Sequence, residues 1–157
     1  MGGEGPTGTL RRALILLVLS SLLAALSLAS TRVPIENYLS EYAFWSTEPW
    51  YVPWRGAVVS LAAWVMLACL TGRRPEITRP LTWVAYALFA AFHYYSLYVV
   101  TQSGYSVSPL PLFYELVPPE GNPTLYLDLG QLLLFLTVWT TVDVKGAVLR
   151  RIRGESP

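Results

Sequence analysis

A chain of 157 residues that is 54% hydrophobic and only 13% charged, at a mean hydropathy of +0.43, is too apolar for a soluble domain, where about 25% of residues are charged. Its net charge of +1 supplies no concentrated basic face, which excludes a nucleic-acid partner. One histidine and one cysteine exclude, within one subunit, bis-His haem, three-His zinc, iron–sulfur and CxxC redox chemistry; no metal and no resident cofactor is expected.

Residues 1–9 are Gly-rich and polar and are expected to be disordered. Arg11 and Arg12 then precede an apolar run over 13–30. It has the layout of a signal peptide, with Ser27-Leu28-Ala29 as a cleavage site, or of a first transmembrane helix; its length favours the retained helix, over about 11–30. Ser20 with Ala24, and Ser21 with Ala25, are small residues four apart that let another helix approach. In 31–54, Ile35, Tyr38, Leu39, Tyr42 and Trp45 recur at helical spacing opposite Glu36, Asn37, Ser40 and Glu41, the pattern of a short helix lying in the interface. Glu48 to Trp54 is expected to be irregular because Pro49 and Pro53 interrupt it. A second span covers 55–72, with Gly56 and Ser60 as a further small pair. Arg73 to Pro80 reads as a tight turn.

The third span, 81–103, holds 23 residues without a formal charge. It is long enough to cross about 30 Å of hydrocarbon. Residues 104–124 contain five prolines, two glutamates and no Lys or Arg; Leu112 to Leu116 is expected to form one interfacial helical turn. The last span covers 125–144, and 146–157 is a basic tail. The expected fold is therefore an all-α integral membrane protein with one membrane domain over 10–145. It is a four-transmembrane-helix bundle, N-in and C-in, with short interfacial helices in its extracytoplasmic loops. Basic residues support this sidedness: Arg11, Arg12, Arg73, Arg74, Arg79, Lys145, Arg150, Arg151 and Arg153 fall inside, against Arg32 and Arg55 outside. Loops 31–54 and 104–124 are thus extracytoplasmic in a multi-pass protein of the cell membrane.

At a 3.5-residue seam of the third span, Thr82, Tyr86, Phe89, His93, Ser96, Val100 and Ser103 share one stripe, which must face protein because unpaired polar groups in hydrocarbon are costly. On the last span Asp128, Gln131 and Phe135 are expected to share a face. An ionisable residue at membrane depth marks a functional site with a named partner. The favoured pair is His93 with Asp128, because a carboxylate orients an imidazole for proton exchange. Tyr94, Tyr95, Gln131, Glu41 and Glu115 are further candidates around an outer-leaflet pocket. The structural alternative is a histidine that bridges two helices, beneath an aromatic belt of Tyr94, Tyr95, Tyr98, Tyr105, Trp45, Trp50 and Trp54.

No catalytic residue can be assigned, and the chain reads more as a non-enzyme. Its expected role is an accessory or structural subunit of a larger membrane complex, its partners being the bilayer and either other subunits or further copies of itself. The alternatives are a quinone- or lipid-binding protein and a proton or ion pathway. The stretch LACLTGRRPEITRPLTWVAYALFA, residues 67–90, resembles the span, Arg-containing turn and span of the DoxX/DoxD-like quinone-associated four-helix proteins. The Trp- and Pro-rich loops depart from that pattern, and the resemblance implies quinone as the ligand class. Val33-Pro34-Ile35-Glu36 is similar to a fragment of the small lycopene-cyclase domains, with Asn37 where those carry a second acid.

Overall fold

The computed structural model describes residues 6–34 and 48–141. In chain order these form α1 (Pro6–Ser30), α2 (Tyr51–Leu70), α3 (Pro75–Gln102), β1 (Ser106–Leu110), β2 (Phe113–Val117), β3 (Thr124–Leu127) and α4 (Leu129–Thr141). Three helices are long and apolar enough to cross a membrane: Gly8–Ser30 within α1, then α2 and α3. Over its described residues α4 is a shorter apolar helix. The protein is therefore mostly helical with a small sheet, rather than all-α. The interfacial helix expected around Ile35 to Trp45, the extreme N-terminus and the basic tail lie outside the described residues.

Proline sets where the helices begin. Pro6 opens α1 and Pro75 opens α3, at first-turn positions where a missing N–H costs nothing. Pro53 likewise falls in the first turn of α2, so the segment expected to be irregular up to Trp54 is helical from Tyr51. Only 71–74 remains as a turn before α3, and Pro80, expected to end that turn, lies inside the helix. Its missing N–H frees a carbonyl at Glu76, an exposed first-turn residue that water can satisfy.

α1 turns Ser20, Leu23, Ala24, Ser27 and Ser30 inward and leaves Leu14, Leu17, Val18, Leu22, Leu26 and Leu28 exposed. Of the two small pairs, Ser20 with Ala24 lies on the packing side; Ser21 and Ala25 are exposed. The buried hydroxyls of Ser27 and Ser60 hydrogen-bond at 2.9 Å, tying α1 to α2. Gly56 meets the Phe92 ring so closely that an added Cβ would lie 2.8 Å from it, so α2 and α3 approach nearly backbone to side chain. The core is Ala57, Trp64, Ala85, Phe89 and Leu133. Trp64 Nε1 donates to Thr137 Oγ1 at 2.7 Å, satisfying the indole and joining α2 to α4.

The stretch expected to be a loop with one helical turn is an antiparallel meander in the order β1-β2-β3. Pro109 and Pro111 push the residues before them toward extended backbone, and Phe113, Tyr114 and Val117 are aromatic and β-branched residues suited to a strand. Pro111 and Leu112 form the two-residue turn between paired Leu110 and Phe113, with Leu112 at φ 61°. On α4, Gly130, Leu133, Thr137 and Thr141 face inward. Phe135 does not share that side: it is 61% exposed and stacks on Trp139.

Candidate functional site

Asp128 is the residue immediately before α4, and its side chain caps the helix: Oδ1 accepts the Gln131 backbone N–H at 3.1 Å, three positions on. The Gln131 side chain then clamps the hairpin. Its Nε2 donates to Asp128 Oδ2 at 2.9 Å and to the Leu110 carbonyl at 3.0 Å, and its Oε1 accepts the Leu112 N–H at 2.9 Å. The Asp128 N–H closes the circuit by donating to the Leu112 carbonyl at 2.9 Å. From α3, the Tyr94 hydroxyl donates to the carboxylate at 3.2 and 3.3 Å. Gly130 makes room for it, since a Cβ there would lie 2.5 Å from that hydroxyl.

Asp128 is thus a buried carboxylate with three protein donors, which is how such a group is tolerated away from water. His93 is not so well served. Its Nε2 lies 3.5 Å from Asp128 Oδ1, ion-pair distance for a protonated imidazole but longer than a hydrogen bond. Neither Nδ1 nor Nε2 has a partner although both are buried. Its ring is held by stacking instead, parallel to Phe89 at 5.4 Å with Trp54, Tyr94 and Tyr114 around it at centroid distances of 5.8, 5.1 and 6.4 Å.

His93 also lines a cavity of about 470 Å³. Its walls are Trp50 just before α2 and Trp54 in its first turn; Ser96, Leu97 and Val100 on α3 beyond His93, with Ser103 just past its end; and Tyr114, Leu116 and Tyr126 on one sheet face, with Glu48 and Tyr105 completing it. Tyr114 and Tyr126 stack at 5.5 Å. Burial, then the neighbouring Tyr126 and the Asp128 charge, pushes the Tyr114 phenol above its usual value, so it meets the cavity as a neutral hydroxyl. A second cavity of about 230 Å³ touches Tyr94, Tyr114 and Asp128.

Of the residues expected to form the site, His93, Tyr94, Asp128 and Gln131 come together. Tyr95 does not: it is 56% exposed and stacks on Tyr98, because it lies about 100° from Tyr94 around the helix. Glu115 follows Tyr114 on β2 and so points to the other face of the sheet, away from the cavity. Glu41 lies outside the described residues. Tyr114 and Tyr126 are site residues the sequence reading does not include; the aromatic and β-branched content of 113–117 is the one signal for Tyr114, and Tyr126 reaches the site through its pairing with Tyr114. The expected aromatic belt divides: Trp50, Trp54 and Tyr105 line the cavity, Tyr95 and Tyr98 do not, and Trp45 is outside the described residues. Among the described residues no group of three or more His, Cys, Asp or Glu side chains is placed to hold a metal ion. Neither a protein-family model, nor a curated protein, nor a solved structure matches this chain.

Proposed function

We infer that the chain is a multi-pass membrane protein, with loops 31–54 and 104–124 on the outer side, that binds a small amphiphile in the cavity beside His93. The observation that carries this reading is an imidazole 2% exposed, unpartnered at both nitrogens, on the wall of a cavity of ligand size. An unsatisfied buried polar group costs about 1–3 kcal/mol, and a ligand or water oxygen reached by a small ring rotation removes that cost. A neutral imidazole offers one donor and one acceptor, and aromatic walls suit a flat head. The described lining contains no Lys or Arg and includes Glu48, which disfavours phosphate or carboxylate heads. An uncharged ring bearing oxygens, of quinone type, fits best.

The test is purification in mild detergent followed by solvent extraction and mass spectrometry. Native protein should retain a stoichiometric lipid-soluble compound, and His93→Gln should lose it while keeping its helical circular dichroism. Equal retention by the variant removes His93 from the site. The accessory-subunit reading is favoured by a different observation: among the described residues β3 pairs with β2 alone and all four of its residues are exposed, the kind of strand edge a partner chain extends. Stoichiometric co-purification of a second chain tests it. A proton pathway has less in its favour, since 56–72, 80–92 and 129–141 hold no Asp, Glu, His, Lys or Arg to continue from Asp128.

A further inference from the structure

We propose that the β1–β2 turn is a lipid-immersed anchor: Leu112, with Leu110, Phe113 and Leu127 beside it, enters the outer acyl-chain region of the bilayer. Leu112 has φ 61° behind Pro111, the place in a type II turn that calls for Gly or Asn. A leucine there is sterically disfavoured, yet its side chain is 45% exposed, so the chain itself gains little by burying it. The turn is not free to place this side chain elsewhere, because the Leu112 N–H and carbonyl are both bonded to the start of α4.

Depth argues for lipid as the occupant. The network fixes the turn at the level of Asp128, which bonds Tyr94 of α3. Tyr94 is 15 residues past Arg79, the last charged residue before it on α3, or about 22 Å of helix rise against a hydrocarbon layer of about 30 Å. On the neighbouring helix, the 13 residues of α4, Leu129–Thr141, carry no charge and rise about 20 Å. Both routes put the turn roughly 8–10 Å below the outer boundary.

Composition along the sheet agrees. The turn end carries Leu110, Pro111, Leu112, Phe113 and Leu127, paired in register as Leu110 with Phe113 and Phe113 with Leu127. The opposite end, four or more residues and about 13 Å away, carries Ser106, Glu120 and Asn122. Below the turn, Phe135 and Trp139 follow Gln131 on one stripe of α4, exposed and stacked, so the turn continues an apolar surface.

In a Cys69→Ala background, Leu112→Cys and Glu120→Cys are labelled with an environment-sensitive fluorophore and reconstituted in phosphatidylcholine nanodiscs. Lipids carrying a nitroxide high on the acyl chain should quench the Leu112 label at least three-fold more than the Glu120 label, with iodide showing the reverse order. Leu112→Gly, which the turn accommodates better, should retain native circular dichroism, and a label at Leu110→Cys in that variant should become less quenched by the lipid nitroxide. Equal quenching at both positions overturns the proposal. So does a Leu112 label shielded from both quenchers, which would place a protein partner on the turn.

Discussion

Asp128→Asn isolates what the carboxylate does, because it keeps size and shape and changes only charge and hydrogen-bond sense. The Gln131 amide cannot turn to accommodate it: Oε1 must accept from Leu112 N–H and Nε2 must donate to the Leu110 carbonyl. If the asparagine oxygen keeps the cap to the Gln131 N–H, its amino group faces Gln131 Nε2 at the 2.9 Å now bridged by a hydrogen bond. If the asparagine is reversed, donor meets donor at the cap. The first outcome loses a charge-assisted bond worth about 1.5–3 kcal/mol, and the second loses a cap worth about 1 kcal/mol and strands an N–H. A destabilisation of about 2 kcal/mol is expected either way, roughly thirty-fold in the folding equilibrium.

Reversible unfolding in detergent–lipid micelles by added SDS, followed by tryptophan fluorescence, measures this. Gln131→Met supplies the control: with no amide opposite, Asp128→Asn should cost less by about 1 kcal/mol or more, a coupling a double-mutant cycle reads directly. If the substitution costs under about 0.5 kcal/mol in both backgrounds, the carboxylate does not organise the end of α4.

Gly130→Ala should push the Tyr94 side chain off Asp128, since the new Cβ would stand 2.5 Å from its hydroxyl and 2.7 and 2.9 Å from ring carbons; the loss, about 1 kcal/mol or more for one bond and a displaced ring, should shrink in a Tyr94→Phe background and vanish in a Tyr94→Ala background. Gly56→Ala must displace the Phe92 ring, 2.8 Å from the added carbon, and a cost of about 1–3 kcal/mol should appear in the same SDS titration. Ser27→Ala and Ser60→Ala each break the α1–α2 hydroxyl pair, so their effects of about 0.6–1.5 kcal/mol should be non-additive; additive losses would mean the pair is not formed in lipid.

The long helices were readable because a charge-free apolar run of span length admits few other structures. Within α3, polar residues on one stripe located the buried face: Thr82, Phe89, His93 and Ser96 are all buried. On α4, Gln131 and Phe135 lie one turn apart on one stripe, as the helical period requires, but below Gln131 that stripe is exposed, and the side turned inward is that of Gly130, Leu133, Thr137 and Thr141. The sheet was hidden by its prolines, which read as loop punctuation although at the hairpin turn they help fix the extended backbone. Tyr95 and Glu115, expected around the same outer pocket, each occupy the wrong side of their element.

The hairpin explains why the polar groups gather where they do. Toward the arginine-bearing turn, the buried hydroxyls of Thr82, Thr137 and Thr141 donate back to their own helices, and Thr137 also accepts the Trp64 indole N–H, so the polar groups of that half are satisfied by single local bonds. At the other end α4 begins late, after β3, and the last turns of α3 would stand without a neighbour. The meander fills that gap, and its backbone must be satisfied if it is to lie against a helix at membrane depth. Gln131 and Asp128 supply donors and acceptors to the turn, and Asp128 then holds Tyr94. Among the described residues, the fully buried side-chain nitrogens and oxygens without a hydrogen bond are those of His93, beside space of ligand size. A network built solely to join α3 to α4 would be expected to include its imidazole as well, and its exclusion is the observation that favours the proposed binding site over a structural bridge.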